Sequence, residues 1–159
     1  IALGTHVGAR VVGRQGARPA AAAGFALAAA GLLLLAQVPV DGQAALDVLP
    51  GFVVAGSGLG AAFVAATTTA LGHVEPHRAG VASGMISTGH ELGASLGVAL
   101  VSAVAGASLD AGAQGALSVG GFGDAFTAAA VVAVAAAALV LRLVPAGRPA
   151  AGDGPVFAH

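Results

Sequence analysis

One ionisable pair stands apart from every other in this chain. His90 and Glu91 lie inside Ala79–Leu109, a stretch with no other charged side chain. Counted as helix from Ala79, they sit about 17–18 Å along it at 1.5 Å per residue. That is near the middle of a hydrocarbon layer about 30 Å thick. An ionised side chain at that depth costs at least about 2.5–3.5 kcal/mol. A carboxyl group can take up and release a proton as its surroundings change, and an imidazole titrates near neutral pH. The functional reading of the pair is a proton carrier or a contact for a cationic substrate. The structural reading is a protonated Glu91 that bonds a neighbouring helix, or one that pairs with a residue outside this chain.

The other chemical candidates carry less. His73-Val-Glu-Pro-His77 holds two His and a Glu at close spacing. A zinc protease needs His-Glu-x-x-His on an unbroken helix, and here the order differs and Pro76 interrupts. A solvated loop is the expectation, with Arg78 capping it electrostatically. Gly56-Ser-Gly-Leu-Gly60 is glycine-rich, but no strand precedes it and no Lys follows, so no nucleotide site is expected. Thr67, Thr68 and Thr69 are expected to bond back to the preceding helical turn. Ser83, Ser87 and Ser95 sit on a glycine-rich helix rather than a nucleophile elbow. No Ser-His-Asp set or carboxylate pair is visible, so the chain reads as no enzyme, with no metal and no cofactor.

The elements that must hold His90 and Glu91 follow from composition. The chain has 159 residues, 57% of them apolar and 8% charged, with a mean hydropathy of +0.94. A soluble domain carries about 25% charged residues. Six Arg, no Lys and seven acids cannot coat such a globule, and lipid is the natural solvent. A net charge of −1 gives no basic surface for nucleic acid. With no Cys there is no disulfide and no thiolate site. Trp and Tyr, which usually mark the membrane interface, are absent too.

Charges punctuate four apolar stretches, Pro19–Val40, Val48–Gly72, Ala79–Leu109 and Phe122–Val144. Each can cross a bilayer as a helix of about 20 residues. The reading is an all-α, multi-pass bundle with spans at about 19–39, 48–72, 79–108 and 122–144. Before it come the end of a helix at Ile1–Val7 and a loop reaching residue 18. After it comes a tail, 145–159, expected to be disordered from its Gly and Pro content. Pro19 suits a first helical turn, and Pro39 and Pro50 bracket a turn with Asp41-Gly42. Pro145 ends the fourth span.

With alternating spans, Arg10, Arg14, Arg18, Arg78, Arg142 and Arg148 all fall on one side of the membrane. Asp41, Asp47, Asp110 and Asp124 fall on the other. Arg in short loops marks the cytoplasmic side, so these loops and the carboxy terminus are expected there, in the plasma membrane. Gly89, Gly93 and Gly97 fall four apart on one face of the third span, and Gly56, Gly58 and Gly60 crowd the second. Such faces let helices approach closely or bend.

Two stretches resemble a known family. Ala9-Arg-Val-Val-Gly-Arg-Gln-Gly-Ala-Arg18 is similar to the cytoplasmic loop motif of the major facilitator superfamily. Arg14, Gly16 and Arg18 match it. Ala9 and Gly13 replace its usual Gly and Asp. Pro76-His-Arg-Ala-Gly-Val-Ala-Ser-Gly-Met-Ile-Ser-Thr-Gly-His-Glu-Leu-Gly-Ala-Ser-Leu-Gly97 resembles the penultimate helix of the fourteen-helix drug:proton antiporters of that superfamily. Pro76, Arg78, Gly80, Ser83, Gly84, Gly93 and Gly97 match, with Ala94 where Gly is common. The family often carries Gln where Glu91 stands, so a carboxyl there is a departure.

The resemblance implies the carboxy-terminal part of such an antiporter, following a truncated helix at Ile1–Val7. It implies proton-driven efflux of drugs or other hydrophobic or cationic small molecules by alternating access. The partners implied are lipid, a small-molecule substrate, the proton and an amino-terminal half of the same chain. The Arg14–Gly16–Arg18 turn reads either as a conformational latch, with Arg on helix carboxy-terminal carbonyls or acids, or as a topology signal. Two other functions stay open: a small stand-alone membrane scaffold or subunit, and another solute permease of the superfamily. Reading the coding message upstream of Ile1 separates the scaffold from a transporter, and a missing antiporter signature in the fifth helix of the full chain would favour the permease. About ten further spans of bilayer length are expected, and a start codon within a few residues of Ile1 leaves only the scaffold or subunit.

Overall fold

The computed structural model describes residues 1–38, 44–72, 74–111 and 120–145. Among them every regular element is helical. In chain order these are α1 (Ala2–Gln15), α2 (Ala17–Ala36), α3 (Ala44–Leu71), a 3₁₀ turn (Pro76–Arg78), α4 (Ala79–Ala111) and α5 (Gly120–Leu143). Four of the helices are long and apolar enough to cross a membrane, over Ala17–Ala36, Leu46–Leu71, Pro76–Ala107 and Gly121–Leu143. The architecture is an all-α multi-pass bundle. The Asp41-Gly42 turn, His73 and the tail beyond Pro145 lie outside the described residues.

Helix α2 is the centre of the bundle. It packs on α3 along one side, on α5 along another, and on α1 near its amino terminus. The buried side chains are nearly all alanine, among them Ala20, Ala21, Ala28 and Ala29 of α2, Ala62 and Ala65 of α3, and Ala130 and Ala133 of α5. No large side chain is fully buried among the described residues. Leu33, Leu34, Phe52, Val53 and Val131 point outward. That distribution inverts a water-soluble bundle. In lipid the outer surface is satisfied by large apolar groups, and helices associate through close packing of small ones.

Helices α2 and α3 approach each other backbone to backbone. A Cβ on Gly24 would lie 2.7 Å from the Ala62 nitrogen and 2.8 Å from the Gly58 carbonyl oxygen. A Cβ on Gly58 would in turn run into the Gly24 carbonyl and the Ala28 nitrogen. One turn-pair away, Gly31 rests on the Ala55 backbone. The same logic brings α1 to α3, where a Cβ on Gly8 would meet the Ala61 Cα at 2.7 Å. Of the three glycines expected to matter in the second span, Gly58 and Gly60 meet backbone, while Gly56 has only ordinary contact with Ile1. The α4 glycines differ. Around Gly80, Gly84, Gly89, Gly93 and Gly97 nothing lies within 4 Å of the Cβ position. The glycine stripe of the third span therefore has no close neighbour among the described residues.

Two boundaries differ from the expectation. Helix α1 continues to Gln15, so Arg10 and Arg14 ride on a helix rather than in a loop. The interruption is Gly16 alone, buried, with φ 98° and its N–H donated to the Val12 carbonyl at 2.9 Å. That left-handed backbone suits glycine and strains any residue with a Cβ. Helix α3 begins at Ala44 and holds Pro50 internally. Proline lacks the N–H that would bond back four residues, a loss best tolerated near a helix start.

A clasp joins distant parts of the chain at this end of the bundle. The Arg18 guanidinium donates a hydrogen bond to the Leu141 carbonyl in the last turn of α5. Carbonyls there have no intrahelical partner, and a cation favours the negative end of the helix dipole.

Replacing Gly58 with Ala is expected to lower thermal stability in detergent by about 1–3 kcal/mol, the usual cost of overpacking. Gly13→Ala, at a helical position with nothing within 4 Å, is expected to be neutral or to raise it by up to about 1 kcal/mol. Melting followed by size-exclusion fluorescence tests both, and equal effects would contradict the packing described. Arg18→Ala should cost about 0.3–1 kcal/mol from loss of the α5 cap; an unchanged melt would show that the clasp contributes nothing to stability.

Candidate functional site

The residues singled out by sequence fall into two places. The first is the end of the bundle where α1 meets α2. Arg14 is in the last turn of α1, Gly16 makes the break, and Arg18 is in the first turn of α2. Gly16 turns the backbone so that Arg18 reaches Leu141 while Val12, Ala17, Ala20, Ala21 and Ala65 close a small core beneath. The geometry makes this a joint between three helices, with a cation at the carboxy-terminal end of one.

The connection from α3 to α4 carries further charges. Pro76 opens the 3₁₀ turn and Arg78 closes it. Arg78 Nε lies 3.6 Å from Glu75 Oε2, and His77 Nε2 lies 3.5 Å from the same oxygen. Arg78 Nε also donates to His77 Nε2 at 3.3 Å. All three side chains are exposed, so these contacts are screened and contribute little to stability. Among the described residues, which leave out His73, no three His, Cys, Asp or Glu side chains come together to hold a metal.

The second place is the middle of α4. The α3–α4 turn sets one end of that helix, and His90 and Glu91 follow about three turns later. His90 is in contact with α3. Its ring lies 5.8 Å from that of Phe63, edge to face at 71°. Phe63 is eight residues, about 12 Å, before the end of α3 at Leu71. The two rings thus meet at similar depth, because α3 and α4 run antiparallel from a short connection. Edge-to-face pairs of this kind contribute about 0.5–1.5 kcal/mol beyond burial.

Glu91, one residue further round the helix, is displaced by about 100° from His90. It is exposed and makes no ion pair among the described residues. The α4 helix as a whole has no buried residue in its apolar window. It leans on α5 and touches α3 only briefly. Gly80, Ser83, Gly84, Gly93 and Gly97 all lie on its exposed surface.

Sequence reasoning did not find Phe63. The available signal was its depth, since a helix counted back from the α3–α4 turn puts it level with His90. The three threonines do as helix threonines usually do. Thr67 donates to the Phe63 and Val64 carbonyls, Thr68 to Val64 at 2.7 Å and Thr69 to Ala65 at 2.8 Å. Their hydroxyl protons are thereby used within α3.

No family model matches the chain, and no solved structure matches it. Curated relatives do. The puromycin resistance protein of Streptomyces alboniger is 32% identical over 142 residues, 84% of this chain and 28% of the relative. The multidrug resistance protein Stp of Mycobacterium tuberculosis is 33% identical over 111 residues, 70% of this chain and 20% of the relative. The chain therefore spans less than a third of the length of either. Four membrane-length helices, a glycine-broken Arg turn, a penultimate helix carrying the motif from Pro76 to Gly97 and this likeness to two resistance proteins converge. The chain belongs to the major facilitator superfamily.

Proposed function

We propose that this chain is the carboxy-terminal part of a proton-driven drug exporter that works by alternating access. The observation that carries the reading is its similarity, over most of its length, to two proteins named for resistance to puromycin and to multiple drugs. The substrate class is a hydrophobic or cationic small molecule. In this reading the Arg-bearing ends of the helices face the cytoplasm of the cell, following the positive-inside rule. No covalent step is involved; the energy comes from a proton gradient across the plasma membrane.

The bundle supplies a framework, in which helices α1, α2, α3 and α5 pack on one another through glycine and alanine faces. Helix α4 presents its exposed surface, with Glu91 near mid-depth, to the other half of the transporter. A carboxylate there binds a proton from one side and releases it to the other as the halves rock. His90, held against Phe63, contacts the substrate or shares the proton. Gly16 and the Arg18 clasp fix the cytoplasmic end during that rocking, with Arg14 beside them.

The test uses the complete transporter in inverted membrane vesicles. Wild-type protein should accumulate a fluorescent cationic drug when a proton gradient is imposed. Glu91→Gln, at equal membrane level, should reduce gradient-driven accumulation to the passive leak while leaving binding of the drug intact. Unchanged gradient-driven accumulation by Glu91→Gln would remove the proton role from this residue. Absence of accumulation by wild type would remove the exporter reading.

A further inference from the structure

The exposed surface of α4 is not uniform. Ser83, Ser87, Glu91 and Ser95 recur every fourth residue, so they form one strip that winds slowly along the helix. The strip is about 18 Å long at 1.5 Å per residue. All four residues are exposed. Ser95 donates to the Glu91 carbonyl at 2.8 Å, which ties its hydroxyl to the turn that carries the carboxylate. Ser83 and Ser87 make no side-chain hydrogen bond among the described residues. Helix hydroxyls in an apolar medium usually bond back to the preceding turn, as Thr67, Thr68, Thr69 and Thr88 do here.

A second strip of the same helix is wholly apolar. Met85, Leu92 and Leu96 are exposed, and they centre roughly 140° round from the serine strip at 3.6 residues per turn. The two strips want different solvents. A carboxylate flanked by hydroxyls is costly against acyl chains, whereas Met and Leu are at home there. The contact between His90 and Phe63 turns the His90 side of α4 toward α3, with the two strips on either side of it.

We infer that Ser83, Ser87 and Ser95 line a water-filled path that reaches Glu91 from both sides. The inference rests on the reading of Glu91 as the proton-binding group. The Ser83 and Ser87 hydroxyls can both donate and accept, the Ser95 hydroxyl, whose proton goes to the Glu91 carbonyl, can accept, and the spacing between successive serines exceeds a direct hydrogen bond, so water bridges them. A proton arriving along that water is accepted by the Glu91 carboxylate and leaves along the same chain on the other side, with no net change in the hydroxyls.

The test is cysteine accessibility in the complete transporter, with any cysteines elsewhere replaced; these 159 residues contain none. Single variants Ser87→Cys, Ser95→Cys, Leu92→Cys and Leu96→Cys are treated in membranes with a cationic, membrane-impermeant methanethiosulfonate. The expected result is fast labelling at 87 and 95 and none at 92 and 96. No labelling at 87 and 95, or equal labelling at all four, overturns the path. Because Ser to Cys is nearly isosteric, loss of folding is not anticipated. The double variant Ser87→Ala/Ser95→Ala provides an independent reading. It should slow gradient-driven export several-fold and leave drug exchange without a gradient unchanged. Equal loss of both activities would mark the serines as structural and overturn the proposal. Labelling needs no transport, so a wild-type protein that exports nothing yet labels as expected would sink the exporter reading and keep the wet strip.

Discussion

The arrangement depends on one contact, the crossing of α2 and α3 at Gly24 and Gly58. Each glycine occupies the space that a side chain on the other would need. Water cannot drive these helices together in a bilayer, because acyl chains solvate leucine as well as a neighbouring helix does. What remains is dispersion between atoms in close contact, which falls steeply with distance. Backbone approach at Gly24, Gly31 and Gly58 makes that contact continuous over several turns. Helix α1 then lies against the side of α3 through Gly4 and Gly8, and α5 against the side of α2 through Ala130 and Ala133. Four helices are thereby committed to one another before α4 has any role.

The proposed proton-binding group sits on the helix that the core does not claim. Helix α4 carries Gly80, Gly84, Gly89, Gly93 and Gly97 and the Glu91 carboxyl, yet among the described residues it packs mainly on α5, with a smaller contact to α3 that includes Phe63–His90. The separation makes physical sense. A helix that is buried all round could not expose an ionisable group to a changing environment, and a carboxylate in the alanine core would cost several kcal/mol with no partner. Structural commitment and functional exposure are thus divided between helices.

Much of this was legible in the residues, and the gaps have clear causes. The gaps between charges gave the four long helices, because lipid imposes length and polarity together. The same signal misplaced the end of α1. Arg10 and Arg14 lie beyond the Ile1–Val7 stretch of this segment, but a helix can continue past its charges, as α1 does to Gln15. Glycine spacing showed which faces are smooth, and could not show which smooth faces meet. Gly24 and Gly58 are crowded while Gly93 and Gly97 are not. The bond from Arg18 to Leu141 joins residues 123 apart in sequence. It arises from the bundle's closure, and no local pattern encodes it.

The alanine and glycine core has a consequence for how the molecule deforms. Alanine and glycine have no rotamers to lose, so forming these interfaces orders almost no side-chain degrees of freedom. Branched side chains reach across them at few places, Val12 and Leu35 being the buried ones among the described residues. The contacting surfaces are mostly smooth, built of alanine and glycine. Such surfaces resist separation, because every atom pair loses contact at once, but they offer low barriers to sliding or twisting along their length. The bundle is stiff against opening and compliant in shear.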